Sequence, residues 1–306
     1  MNDQDVMILG VGRIGQQIAR QLCELKMDGS IDLNFIYLCG RNRSRMDAIR
    51  EDLLSSMLLR CRRNNIPQKM YQSLEKSVIA CDLSHDYAVD IIVLSFGAPI
   101  NEHLSIDKAL HSNQRNMLYE AHTDIIDSLL PCIKMKKNDN TWVLNIVNPI
   151  EQICHYLKNH LLLDPHRIIG STAELDAIRG LKYYLRENEY PSDEYKAVYV
   201  GCHDEQGAHY LQNIKTREFH YDADAQWKIL ANKEGSNILH YKKTPPVFGP
   251  SESVIDVIAA LCSDYPVNLC CSMWMSEFEQ YFSVPVEVTR GKIRYIENLA
   301  HNKPLN

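Results

Sequence analysis

The stretch DVMILGVGRIGQQIARQL, residues 5–22, decides how the chain is read. Val6 to Leu9 form a short apolar run of strand character. Gly10, Gly12 and Gly15 then give G-x-G-x-x-G, and Ile14, Ile18, Ala19 and Leu22 follow at helical spacing. A lone glycine pattern is weak evidence; a strand before it and an amphipathic helix after it make it strong. Gly10 permits the tight turn, Gly12 lets a phosphate approach the backbone, and Gly15 lets the helix pack closely on the strand. Arg13 and Ile14 lie between these glycines at the start of the helix, whose free N–H groups and dipole suit a pyrophosphate.

The alternation continues. LNFIYLCG (33–40) is a second buried strand, and residues 44–62 read as a helix with Met46, Ile49, Leu53 and Met57 on its apolar face. SVIACDL (77–83) and DIIVLSFGAP (90–99) are further strands, residues 115–137 a long amphipathic helix, and TWVLNIVNP (141–149) a fifth strand. Apolar strands alternating with helices imply a parallel sheet covered on both faces. The expected fold class is therefore α/β, a Rossmann-type doubly wound sheet over residues 1–148. Ligands in such sheets sit at the carboxyl ends of the strands. That rule points to Gly10–Gly15, Gly40–Arg41, Gly97–Pro99 and Asn148.

The second strand ends in YLCGRNRSR, residues 37–45. NAD sites usually end this strand on Asp or Glu, which accepts hydrogen bonds from the adenine ribose. Here Cys39 and Gly40 take that place, Gly40 is read as leaving room, and Arg41, Arg43 and Arg45 follow. A guanidinium grips phosphate oxygens and stacks on adenine, and Ser44 adds a hydroxyl. The expected cofactor is NADP(H), with NAD(H) as the alternative.

Composition narrows the function classes. The 306 residues fit about two ordinary domains. A net charge of -6 gives no support to a general nucleic-acid or membrane-surface role. No apolar run approaches the ~20 residues of a membrane span. The N-terminus runs straight into a strand and does not read as a signal peptide. None of the ten cysteines forms a C-x-x-C pair, so free thiols in a reducing cytoplasm are expected, with neither a disulfide framework nor a metal site. The basic runs at Arg60, Arg62 and Arg63 and at Lys134, Lys136 and Lys137 read as solvated faces.

GSTAELDAIRGLKYYL (170–185) contains L-D-x-x-R, and VYVGCHDEQGAH (198–209) contains G-x-H-D. An Asp and an Arg one helical turn apart, followed by a histidine in a Gly-flanked loop, resemble the lactate/malate dehydrogenase family. NIVNP resembles that family's Asn-Pro segment. KKTPPVFGPS (242–251) resembles the stretch that carries a specificity threonine, here Thr244. YPVNLCCSMWM (265–275) and YFSVPVEVTRGKI (281–293) resemble its closing antiparallel strands. The segments keep the family's order over almost the whole chain.

The resemblance implies a substrate domain of α+β type with antiparallel strands over residues 149–306, and a hydride transfer between a nicotinamide cofactor and an L-2-hydroxy or 2-keto acid. By the same resemblance Arg179 clamps the substrate carboxylate, because a planar guanidinium matches it bidentately. His203 is the acid/base on the substrate oxygen, and Asp176 fixes the imidazole tautomer. Arg115 comes down with a loop to polarise the carbonyl. Asn148 bonds the substrate oxygen or the nicotinamide side. A homo-oligomer, dimer or tetramer, is implied as well.

Three features depart from the family pattern. The stretch from Gly97 to Arg115 is longer than usual and resembles the extended loop of 2-hydroxyisocaproate-type members. Ile100 stands where malate enzymes carry arginine and lactate enzymes glutamine, and it offers a second carboxylate no partner. The expected substrate is therefore not malate and is larger than lactate, with His103, Lys108, His111 and Asn113 near its tail. The chain stops at Asn306, where the family continues into a long helix. A second function class is a dinucleotide-binding regulatory relative without catalysis; the full set Asp176, Arg179, His203 and Asn148 favours the enzyme.

Overall fold

A computed structural model describes residues 4–84, 88–97, 113–188, 194–203, 207–216, 219–220 and 226–296. The first half holds β1 (Gln4–Leu9), α1 (Arg13–Met27), β2 (Leu33–Cys39), α2 (Arg43–Arg63), α3 (Gln68–Ser77), β3 (Val78–Cys81), β4 (Ile91–Leu94), α4 (Asn113–Lys136) and β5 (Trp142–Asn145). The second half holds α5 (Ile150–Leu161), β6 (Ile168–Gly170), α6 (Ala173–Asn188), β7 (Tyr195–Val200), β8 (Ala208–Asn213), β9 (Phe219–His220), α7 (Gln226–Lys242), α8 (Phe248–Cys262), β10 (Val267–Met275), β11 (Gln280–Thr289) and β12 (Lys292–Tyr295).

Nine strands form one sheet in the order β12-β11-β10-β6-β5-β4-β1-β2-β3. Its parallel part has the doubly wound order 3-2-1-4-5-6. The order reverses at β1, which pairs with β2 on one side and β4 on the other. The crevice at the carboxyl ends of β1 and β4 therefore carries Gly10 and Gly97. The strands there are tied by bonds from Gly10 N to Cys39 O (3.0 Å) and from Ser95 N to Leu9 O (3.0 Å).

Alternate residues of the strands feed two cores. Val6, Ile8, Ile36 and Leu38 pack with α1, α2, α3 and α8 on one face; Met7, Leu9, Ile92 and Val143 pack with α4 and α5 on the other. A third, smaller core joins α6 to the separate antiparallel sheet β7-β8-β9 and to α7.

The sheet does not stop at residue 148. β6 adds a sixth parallel strand, and β10 then joins it antiparallel through Ser272 opposite Gly170. Gly170 is required at this junction. A Cβ there would lie 2.4 Å from Ile150 Cγ2 and 2.7 Å from Ser272 Cβ.

The strands and helices read from the sequence in residues 5–149 are present. One reading is corrected: Lys136 is fully buried and not on a solvated face, and its Nζ has no hydrogen-bond partner among the described residues. It belongs to the last turn of α4, which tucks under the start of β4 where Val89 N donates to Lys136 O (3.0 Å). Lys134 is exposed, as expected.

Candidate active site

α6 starts three residues after β6, and its i,i+3 spacing places Asp176 and Arg179 on one buried face. Their side chains are 10% and 8% exposed. Arg179 Nη1 donates to Asp176 Oδ1 at 3.0 Å. The other carboxylate oxygen, Oδ2, accepts a short hydrogen bond from His203 Nδ1, a donor role assigned by the partner. His203 stands in the loop after β7, and its side chain is 19% exposed. The structure thus brings together residues 27 apart in sequence into one Arg–Asp–His chain.

The chain has a definite electrostatic sense. Burial works against the charged form of His203, but the Asp176 carboxylate outweighs it, so the imidazole pKa is raised above its ordinary value. Glu151 adds to the rise and Arg179 opposes it. Burial likewise works against the Asp176 carboxylate, yet His203 and Arg179 hold its pKa below the usual range. Such a pair keeps the acid ionised and the imidazole a strong proton holder.

Two neighbours escaped the sequence reading. Glu234 on α7 places Oε1 3.4 Å from Arg179 Nε and forms an ion pair through Oε2 with Lys182. Gly235 beside it presents no side chain to the guanidinium; a Cβ would lie 3.6 Å from Nη1 and 3.7 Å from Nη2. Glu151 in the first turn of α5 accepts a bond from His203 N at 3.0 Å. An acid after Asn-Pro at a helix start reads as ordinary dipole pairing, so only the folded chain reveals these contacts.

At the carboxyl end of β1, Gly10 has φ +96°, and a Cβ on it would lie 2.7 Å from Phe96 Cβ. Gly12 is the N-cap of α1, without a side-chain cap and with no atom within 4 Å of a would-be Cβ. At Gly15 a Cβ would lie 2.6 Å from the Gly10 carbonyl oxygen. Turn, open approach and close packing are thus divided among three glycines, and across the crevice no atom of the described residues lies within 4 Å of a would-be Cβ on Gly97. Ile14 is half-buried behind them and Arg13 exposed. This set fits an approaching phosphate group.

After β2, Cys39 is buried, and Arg41, Arg43, Ser44 and Arg45 are exposed. Asn42 caps α2 by accepting from Arg45 N at 3.0 Å. Arg43 pairs with Asp47 at 3.1 Å, whereas Arg41 and Arg45 form no ion pair among the described residues. The space beside Gly40 is not open: a Cβ there would lie 2.9 Å from the Met46 sulfur, so this glycine accommodates α2.

The remaining expected residues are placed less centrally. Asn148 is exposed, precedes a cis bond to Pro149, and its carbonyl oxygen accepts from His122 Nδ1. Thr244 Oγ1 accepts from Arg13 Nη2 at 3.3 Å, which ties it to the glycine turn. Arg115 lies in the first turn of α4, with its side chain outside the described atoms. Ile100, His103, Lys108 and His111 lie outside the described residues, and so does the side chain of Asn113. Among the described residues, no three His, Cys, Asp or Glu side chains are arranged to hold a metal ion, and no helix is long and apolar enough to cross a membrane.

The sequence matches no protein-family model and no curated protein. Solved structures do match over nearly the full chain. Malate dehydrogenase from Cryptosporidium parvum superposes with a TM-score of 0.73 at 17% identity, covering 96% of this chain and 90% of that one. The chain has the lactate/malate dehydrogenase fold. Lactate dehydrogenase from the same organism, solved with lactic acid and nicotinamide adenine dinucleotide, gives 0.74 at 16% identity, with 97% and 90% covered. A lactate dehydrogenase from a Medee basin deep-sea metagenome gives 0.73 at 16%, with 97% and 91% covered.

Proposed function

We propose that the protein is an oxidoreductase that transfers hydride between NADP(H) and a 2-keto or L-2-hydroxy acid. The observation that carries this reading is the buried Arg179–Asp176–His203 chain on a lactate/malate dehydrogenase fold. A binding-only protein has no physical need for an imidazole held on a buried carboxylate beside an arginine.

The chain's own residues divide the work. Residues 1–148 hold the cofactor and residues 149–306 the acid. Gly10, Gly12, Arg13, Ile14 and Gly15, with Gly97 opposite, cradle the pyrophosphate at the α1 N-terminus. A bound nicotinamide dinucleotide supplies or accepts the hydride. Arg179 orients the substrate carboxylate. His203 donates a proton from Nε2 to the keto oxygen as reduction proceeds, and takes it back in oxidation. Asp176 fixes the tautomer through Nδ1 and stabilises the charged ring. Arg115 and the Asn148 side chain polarise the substrate oxygen, and Ile100 and Thr244 border the substrate tail. Ile100 offers no charge to a second carboxylate, so the substrate is not malate and is larger than lactate. Arg41, exposed at the end of β2 and without an ion pair among the described residues, grips the 2'-phosphate with Ser44 beside it, while Gly40 contributes backbone only. Nine buried free cysteines suit a reducing compartment, and we assign a homo-oligomer to the cytoplasm.

The test is a spectrophotometric screen of 2-keto acids with NADPH and NADH. Turnover of a branched or larger keto acid, faster with NADPH and slow with oxaloacetate, is expected. Arg41→Ala should then lose ~1.5–3 kcal/mol of the NADPH preference, the scale of a charge-assisted hydrogen bond. Saturable cofactor binding with no turnover of any keto acid would overturn the enzyme reading, and a native preference for NADH would overturn the role of Arg41.

A further inference from the structure

Three elements distant in sequence converge on one oxygen of Glu151. His203 N donates to Glu151 Oε1 at 3.0 Å, Ser272 Oγ on β10 at 2.8 Å, and Ser283 Oγ on β11 at 3.3 Å. Both serines are fully buried, and their hydroxyls are 2.9 Å apart. The backbone of Ser283 is also paired with Gly201: Gly201 N donates to Ser283 O at 3.0 Å, and Ser283 N to Gly201 O at 2.7 Å. Gly201 takes φ +124°, a conformation suited to glycine, and turns the chain out of β7. The loop that presents the imidazole is therefore pinned twice within three residues, at Gly201 to β11 and at His203 to α5.

We propose that Glu151, anchored by Ser272 and Ser283, is the positioning residue that holds His203 on Asp176. The proposal rests on the reading of His203 as the proton carrier. The geometry is demanding because a buried hydroxyl needs its partner: the two serines fix the carboxylate, and the carboxylate then fixes the amide. Moving the His203 backbone away from α5 breaks its bond to Glu151 Oε1 and takes from that oxygen one of its three donors, while Ser272 and Ser283 keep the carboxylate in place.

A carboxylate also acts by its charge. The ionisable groups facing His203 among the described residues are Asp176 and Arg179 on α6 and Glu151 on α5, with His209 of β8 acting on Asp176 from behind. Two carboxylates against one guanidinium favour the imidazolium. Asp176 and Glu151 thus shift His203 toward its protonated form, the form that reduction of a keto acid requires.

Two variants separate position from charge. Glu151→Gln keeps an acceptor oxygen at the same reach and removes the charge; Glu151→Ala removes both. The readout is the His203 titration by NMR, assigned by its loss in His203→Asn, together with the downfield Nδ1–H signal of the Asp176 bond. Neither needs turnover, so a failed substrate screen leaves this test intact. Glu151→Gln should lower the His203 pKa by about one unit, as expected for loss of one charge a few ångströms away, and keep the downfield proton. Glu151→Ala should lose that proton, with circular dichroism unchanged. If Glu151→Ala does not fold, Ser283→Ala carries the positional arm, with a weakened downfield signal expected. An unchanged His203 pKa in Glu151→Gln, or an unchanged downfield proton in the folded positional variant, overturns the proposal.

Discussion

His203 and Asp176 titrate in opposite directions, and the signs give a testable pH window. The His203 pKa is raised, so its contribution to stability is complete below about 6.5 and is lost as pH rises through the higher folded value. The Asp176 pKa is depressed, so its contribution is present above about 3.9 and is lost as pH falls through the lower folded value. On the proposed mechanism keto-acid reduction needs the imidazolium, so its rate should fall with rising pH only above about 6.5, the ordinary imidazole value. Hydroxy-acid oxidation should show the mirror profile. Rate profiles in both directions check this; a reduction rate that already falls between pH 5 and 6 contradicts the raised imidazole pKa. Asp176, Arg179 and His203 were singled out by the resemblance of their motifs to a known family, and the structure brings their side chains together. Glu151 was not singled out, because its partners Ser272 and Ser283 lie 121 and 132 residues away.

β6 and β10 meet closely, with Gly170 opposite Ser272. The sequence I-I-G at residues 168–170 is too short to show a strand period. The reason for Gly170 is tertiary: Ile150 and Ser272 fill the place of its side chain. Gly170→Ala should force these neighbours apart and cost about 1–3 kcal/mol of stability, the usual penalty for overpacking. A urea midpoint equal to that of the native protein would remove the packing argument. α7 was equally hidden, since residues 226–242 mix polar and apolar residues without a clean face, and packing on α6 and β8 makes the helix. The alternation in residues 5–149 was legible for the opposite reason. Those strands are buried on both faces and read as continuous apolar runs, and their helices show one apolar stripe each.

On the scale of the whole molecule, the single nine-stranded sheet does the joining. Its carboxyl edge carries the glycine turn, and its β6–β10 seam carries α6 and, through β11, the His203 loop. The glycine turn and the His203 loop are thus both tied to one sheet. The parallel half of the sheet also covers the fully buried Lys136 amine, which has no hydrogen-bond partner among the described residues. Lys136→Met keeps the volume and removes the unsatisfied donor, so it should stabilise the protein by about 1–3 kcal/mol, with a raised Tm. A lowered Tm would mean that the amine serves a contact on which the fold depends. The central claim, that this assembly moves a proton through His203 while a nicotinamide cofactor carries hydride, is tested most directly by one comparison. It sets the native protein beside His203→Asn, with kcat on the preferred keto acid measured together with the cofactor Kd. The account predicts an unchanged Kd and a kcat lower by ~10²–10⁴; a kcat within a few-fold of native would contradict it.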